Sequence, residues 1–307
     1  MSEPEPFLSR RETLALLPLT VAGVGGIRYA TTDAYPISLE GAIGMYQRHV
    51  NMRGKRIVVT GANTGLGYET ALRLAEEGAT IIMAGRSMQR LTDAAQRIRA
   101  SVPSADLDCQ LLDLASFDSV RAFAKAYATQ YASLDVLVNN AGLTAIPDRA
   151  DTENGNEQIF QVNYLGHFLL TNLLMPSLAA SNSPRIISVS SRASFLPNGK
   201  LSVEGMSDNL HQQENLQHAG AAYDTCQTPL DCPAYSSSKL EQLLFTRELQ
   251  RRLGGSDSRA VVMSLHPGLV ATELFRYSRL GGASAGTFST PQGALDDKAA
   301  ARTLNFW

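Results

Sequence analysis

Tyr235 and Lys239 lie four residues apart at the start of a strongly helical stretch, Ala234 to Leu253, so they share a helix face. That pairing suits proton transfer to or from an alcohol or carbonyl oxygen. A free phenol, with a pKa near about 10, is a poor base at neutral pH, and a neighbouring ammonium favours its phenolate. Ser191 ends an apolar run that begins at Arg185, where its hydroxyl can donate to an oxygen on which charge develops. Ser190 is the adjacent alternative, and the strand alignment favours Ser191. Asn163 falls inside a helical pattern, where a polar side chain needs a reason; it is expected to hold a water that links Lys239 to solvent. A Tyr-x-x-x-Lys pair by itself is common and says little, so its weight depends on what positions it.

The positioning begins at Val58-Val59-Thr60-Gly61-Ala62-Asn63-Thr64-Gly65-Leu66-Gly67. Apolar and β-branched residues run into a glycine turn, and a helical pattern (Tyr68, Ala71, Leu72, Leu74, Ala75) follows as far as Gly78. Gly61, Gly65 and Gly67 stand where a side chain would strain the turn or hold the backbone away from a ligand. The helix that opens there offers free N–H groups and a positive dipole end, which suits a pyrophosphate. The spacing is G-x-x-x-G-x-G, and the order of elements after it adds specificity. Apolar strands are expected at 80–84, 107–112, 134–138, 185–190 and 260–265. Helices are expected from Ser87 to about Ala100, from Ser116 through Tyr131, from about Glu157 to Ala180 with a break near Pro176, and over 234–253.

Strands alternating with helices imply a doubly wound parallel sheet of the α/β class, covered on both faces. Right-handed crossovers then gather the carboxyl ends of the strands along one crevice. Gly61, Arg86, Asp113 with Leu114, Asn140 with Ala141 and Gly142, Ser191 and Pro267 converge there, which marks a dinucleotide site. An acidic residue ending the second strand would bind the ribose hydroxyls and favour NAD. That position holds Gly85, and Arg86 follows it. An arginine there pairs with a 2′-phosphate, so the expected cofactor is NADP(H). Asp113 is placed to accept from the adenine amino group. With that cofactor in view, Lys239 gains a second task, holding the nicotinamide ribose.

A chain of 307 residues with 44% hydrophobic and 18% charged residues is that of a folded globular protein. The net charge of −2 and the lack of a long basic run give no footing for a nucleic-acid partner. Cys109, Cys226 and Cys232 make no metal spacing with the histidines; reduced thiols are expected, although Cys226 and Cys232 could close a small loop. Residues 1–51 read separately. Arg10-Arg11 precedes an apolar run from Leu14 to Ile27 broken by Pro18, too short for a comfortable membrane span. Ser9-Arg10-Arg11 resembles a twin-arginine signal. The segment is expected to target the chain or to anchor it to a membrane through residues 10–30; a greasy helix on a cytoplasmic domain is the alternative.

These motifs together resemble the short-chain dehydrogenase/reductase family over residues 55 to about 275. Thr60 to Gly67 is similar to its cofactor motif and Asn139-Asn140-Ala141-Gly142 to the motif that steadies its central strands. Asn163, Ser191, Tyr235 and Lys239 look like its catalytic tetrad, and His266-Pro267-Gly268 with Thr272 like its segment beside the nicotinamide carboxamide. Val162 to Asn172, and Ser238 through Leu249, resemble the retinol dehydrogenase and WW-domain oxidoreductase branch. The resemblance implies a Rossmann-type single domain over 52–280 that interconverts a hydrophobic alcohol and its aldehyde or ketone, retinoid-, steroid- or lipid-like. A pigment reductase of the protochlorophyllide type is the second reading; it usually lacks Asn-Asn-Ala-Gly. A cofactor-binding sensor or scaffold with little turnover is the third.

Two departures from that family stand out. The stretch at 192–232 is a long insertion between Ser191 and Tyr235, expected over the active site. After Thr290-Pro291-Gln292-Gly293-Ala294, Leu295 to Trp307 supply no β-rich run, so 281–307 reads as an irregular tail and the last sheet strand of the relatives is expected to be missing, which puts homo-oligomer formation in doubt.

Overall fold

The computed structural model describes residues 50–144, 150–195, 232–254, 259–267 and 274. The expectations for the N-terminal segment, for most of the insertion and for the tail lie outside the described residues. In chain order the elements are β1 (Arg56–Thr60), α1 (Gly65–Glu76), β2 (Thr80–Gly85), α2 (Met88–Ser101), β3 (Asp106–Leu111), α3 (Phe117–Gln130) and β4 (Val136–Asn139). Then come α4 in three abutting pieces (Gln158–Phe160, Gln161–Leu165, Gly166–Ala179), β5 (Arg185–Val189), a short 3₁₀ turn (Arg192–Phe195), α5 (Pro233–Leu253) and β6 (Val261–Leu265).

The six described strands form one parallel sheet in the order β3-β2-β1-β4-β5-β6. The order reverses between β1 and β4, which opens the crevice at their carboxyl ends. Alternation along β1 explains the layers. Val58 faces one core with Leu137, Leu170 and Ile186, whereas Ile57 and Val59 face the other with Leu74, Leu91 and Ile98. All three β1 valine and isoleucine side chains are fully buried, as a sheet covered on both faces requires. α2 and α3 start where the sequence places their caps: Ser87 accepts from Arg90 N–H and Ser116 from Ser119 N–H.

Two expectations are corrected. The helix over 157–180 does not break at Pro176. That proline lies in the last turn, where its missing N–H costs one hydrogen bond, and Leu170, Leu174 and Leu178 hold the helix to the core. The irregularity comes earlier, as a π-turn over Gln161–Leu165 that contains Asn163. Cys232 is disulfide-bonded rather than a reduced thiol, while Cys109 is free.

Candidate active site

The glycine turn is shaped by contact with the end of β4. Gly61 and Gly65 take left-handed backbone, at φ of 68° and 56°. A Cβ on Gly67 would run into the Gly61 carbonyl oxygen and come within 2.6 Å of Asn140 Nδ2. Thr60 fastens the two strand ends: its Oγ1 accepts from the N–H groups of Asn140 and Ala141, each at 2.9 Å, while Asn140 Nδ2 donates to Thr60 O at 2.8 Å. Thr64 precedes α1 without making a side-chain cap, and no acid stands in the first turn. The first N–H groups of α1 therefore face the crevice with no side-chain acceptor of their own from that cap. Cradle and helix end fit a pyrophosphate. Asn63 and Leu66 sit half-buried in the same turn.

Arg86 is exposed directly after β2. Nearby, Arg97 donates from Nη2 to Asn63 O at 3.2 Å and lies 4.4 Å from the Tyr68 ring centroid, a clamp on the turn that spacing alone did not single out. Asp113 accepts the Ala115 N–H at 2.9 Å, so one of its oxygens serves the chain turn. Leu114 is buried against Gly166, where a Cβ would meet Leu114 O at 2.7 Å. Pro267 is buried just past β6, and Gly268 and Thr272 lie outside the described residues.

The acid–base pair is assembled from β5 and α5. Tyr235 is 3% exposed and Lys239 4%. Burial pushes the Tyr235 phenol up to about 12, and a hydrogen bond with the Ser191 hydroxyl works against it. Burial pulls the Lys239 ammonium down to about 7. Lys239 Nζ lies 5.6 Å from the Tyr235 ring centroid and donates to Val189 O at 2.8 Å and to Gln242 Oε1 at 3.2 Å. Gly142 lies beside the pair: a Cβ there would stand 3.5 Å from Lys239 Nζ, in ordinary contact. Ser190 donates to the main-chain carbonyl of Lys239 at 2.8 Å.

Asn163 is fully engaged. Its Oδ1 accepts from Leu143 N–H at 2.7 Å, and Nδ2 donates to Leu143 O and Ser238 Oγ, both at 3.0 Å. Its main-chain carbonyl accepts from Gln242 Nε2 at 2.6 Å and from His167 Nδ1 at 3.0 Å. Because that partner is a carbonyl, His167 carries its proton on Nδ1. Burial holds the ring neutral by pulling its pKa to about 4, so Nε2 accepts from the Thr60 hydroxyl at 2.9 Å. Gln242 joins the Asn163 carbonyl to Lys239 Nζ through the two ends of its side-chain amide. Among the described residues no three of His, Cys, Asp and Glu gather as a metal site.

The doubly wound sheet, the glycine cradle and the Ser–Tyr–Lys cluster define an oxidoreductase of alcohol and carbonyl groups that works with a nicotinamide dinucleotide. The chain belongs to the short-chain dehydrogenase family, whose model matches residues 55–205. Retinol dehydrogenase 13 of Homo sapiens is 43% identical over 281 residues, which cover 90% of this chain and 74% of that protein. Among solved structures, an uncharacterised protein from Mycobacterium paratuberculosis superposes with a TM-score of 0.61 at 32% identity, over 85% of this chain and 78% of the other. A short chain dehydrogenase from Shigella flexneri, solved with NADP, superposes with a TM-score of 0.59 over 82% of this chain and 89% of the other; at 22% identity it bears on the fold alone.

Proposed function

We propose that this protein is an NADP(H)-dependent dehydrogenase or reductase of a hydrophobic primary or secondary alcohol and its carbonyl, with Tyr235 as the acid–base residue. The observation that carries the reading is the Ser191–Tyr235 hydrogen bond beside Lys239, at the strand ends that also carry the glycine cradle. Gly61, Asn63, Thr64, Gly65, Leu66 and Gly67 would hold the pyrophosphate, Arg86 the 2′-phosphate, and Asp113 with Leu114 the adenine. Asn140, Ala141 and Gly142, with Pro267, Gly268 and Thr272, would flank the nicotinamide half. When bound, the cofactor supplies or accepts the hydride at the substrate carbon.

The protein's own part is proton handling. Ser191 donates to the substrate oxygen, and Tyr235 gives its proton during reduction or takes one as phenolate during oxidation. An alcohol is oxidised only by the fraction of sites in which Tyr235 is ionised. Its burial opposes that ionisation, and the Lys239 ammonium and the positive charge of the oxidised nicotinamide restore it. The hydrophobic substrate class rests on the likeness to retinol dehydrogenase 13.

The test is fluorescence titration of the full chain with NADPH and NADH, followed by turnover of retinal, a steroid ketone and a long-chain aldehyde. Micromolar NADPH binding with clear preference over NADH, and turnover of at least one carbonyl, is the expected result. Binding without turnover would leave a cofactor sensor, and no binding would remove the reading. Residues 10–30 are proposed as the membrane or targeting segment. Among the described residues no helix is long and apolar enough to cross a membrane. Flotation of the full chain with lipid vesicles, lost when that stretch is deleted, would support the assignment; equal flotation of both would refute it.

A further inference from the structure

The π-turn at Asn163 and the second turn of α5 are tied together by one side chain. Gln242 is 2% exposed, and each end of its amide has a single partner of the matching kind. Nε2 donates to Asn163 O at 2.6 Å, and Oε1 accepts from Lys239 Nζ at 3.2 Å. A wide helical turn shifts the i→i+4 ladder and makes a main-chain carbonyl available to side chains. Asn163 O uses that freedom twice, toward Gln242 and toward His167. A lysine ammonium has three donors on a flexible four-carbon stem and no direction of its own. Two donors are fixed here, on Val189 O and on Gln242 Oε1, which leaves one to point elsewhere.

We propose that Gln242 is a positioning residue for Lys239, a side-chain bridge from the Asn163 carbonyl that aims the ammonium. An amide holds a hydrogen bond at each end but does not readily pass a proton through itself. Among the described residues, the titratable groups facing Lys239 are Tyr235 on its own helix and His167 on α4, and His167 is neutral. Gln242 thus decides much of the local field that the ammonium feels.

This inference rests on the proposed role of Lys239 but can be tested without turnover. The chain has five lysines, Lys55, Lys125, Lys200, Lys239 and Lys298, so lysine 13Cε signals can be followed by NMR across pH in the full protein. The Lys239 signal is assigned by its loss in Lys239→Met. In the unaltered chain, the Gln242 side-chain amide signals should shift with the same midpoint as Lys239 13Cε. In Gln242→Glu the carboxylate should raise the Lys239 midpoint by about one unit or more, and in Gln242→Leu, with no acceptor, the midpoint should fall. A Gln242 amide that ignores the Lys239 titration in the unaltered protein overturns the proposal whether or not the variants fold. Identical midpoints in the folded variants overturn it as well. Coupled signals in a chain that turns over no carbonyl would sink the enzymatic reading and leave Gln242 as the partner of Lys239; an active enzyme with uncoupled signals would do the reverse.

Discussion

Tyr235 carries a conflict that only its partners resolve. Its burial shields the reacting proton from water, yet the same burial raises the phenol to about 12 and disfavours the form that oxidises an alcohol. Replacing Tyr235 with Phe keeps the ring and the packing and removes the proton. Turnover should fall by about 10²–10⁴-fold, the usual worth of a positioned acid–base group, while NADPH affinity stays within about twofold. Steady-state kinetics beside fluorescence titration check both halves, and undiminished turnover would remove Tyr235 from the mechanism. Arg86 is a different case, an exposed residue directly after β2 that makes no side-chain hydrogen bond or ion pair among the described residues. Arg86→Ala should weaken NADPH by roughly 10–100-fold, the loss of a hydrogen bond to a charged group, and leave NADH nearly unchanged. Equal loss for both dinucleotides would mean that Arg86 does not read the phosphate.

At the level of elements, the glycine turn separates space from backbone conformation. Gly67 sits where a Cβ would overlap the Gly61 carbonyl, whereas Gly155, at φ 74°, has nothing within 4 Å. Gly67→Ala should cost about 1–3 kcal/mol by overpacking and, because the turn must shift, at least about tenfold in NADPH affinity. Gly155→Ala should cost about 1 kcal/mol through strain alone and leave cofactor affinity as it was. Melting curves and NADPH titrations of the pair give the comparison, and equal affinity loss in both would make the effect one of general stability. The turn was readable from sequence because glycine spacing reports sterics directly. The alternating strands and Ser87 and Ser116 as caps were readable too, since periodicity and capping are local signals. The π-turn and its use by Gln242 and His167 were not. They depend on which carbonyl of α4 meets which side chain of α5 across 79 residues of chain, and a helical pattern continues through Gln161–Leu165 unchanged. Pro176 misled for the complementary reason: its local penalty is real, and tertiary burial of α4 outweighs it.

Among the described residues, buried groups pull the pH response in opposite directions: His167 and Glu241 oppose each other below about pH 7, and Lys239 adds a rising slope above it. His167 joins β1 to α4 as a neutral ring, its pKa pulled from 6.5 to about 4 by burial. The unfolded chain binds the extra proton between those values, so this contribution to stability is full above about pH 6.5 and is lost on acidification toward pH 4. Glu241 lies on α5 against the start of α4, 6% exposed, and its Oε2 has no hydrogen-bond partner among the described residues. Burial, with Glu157 nearby, raises its carboxyl from 4.5 to about 8. Here the folded state holds the proton, so stability falls as pH rises from about 4.5 to 8. Between pH 4.5 and 6.5 the two slopes oppose each other, and the parent protein should show a shallow maximum rather than a steep limb. Glu241→Gln removes one slope. It should be about 4 kcal/mol more stable than the parent at pH 8, since the carboxyl moves from 4.5 to about 8 and one unit is worth about 1.4 kcal/mol, with the gap closing toward pH 4.5. His167→Gln, which can still donate to Asn163 O and accept from Thr60, removes the other slope and should leave stability falling steadily from pH 4.5 to about 7, where the Lys239 slope begins to offset that of Glu241. Urea unfolding at half-unit steps of pH reads all three profiles. A Glu241→Gln gap that does not grow with pH would mean that this carboxyl is ionised in the fold, and His167 would then set the slope between pH 4.5 and 6.5.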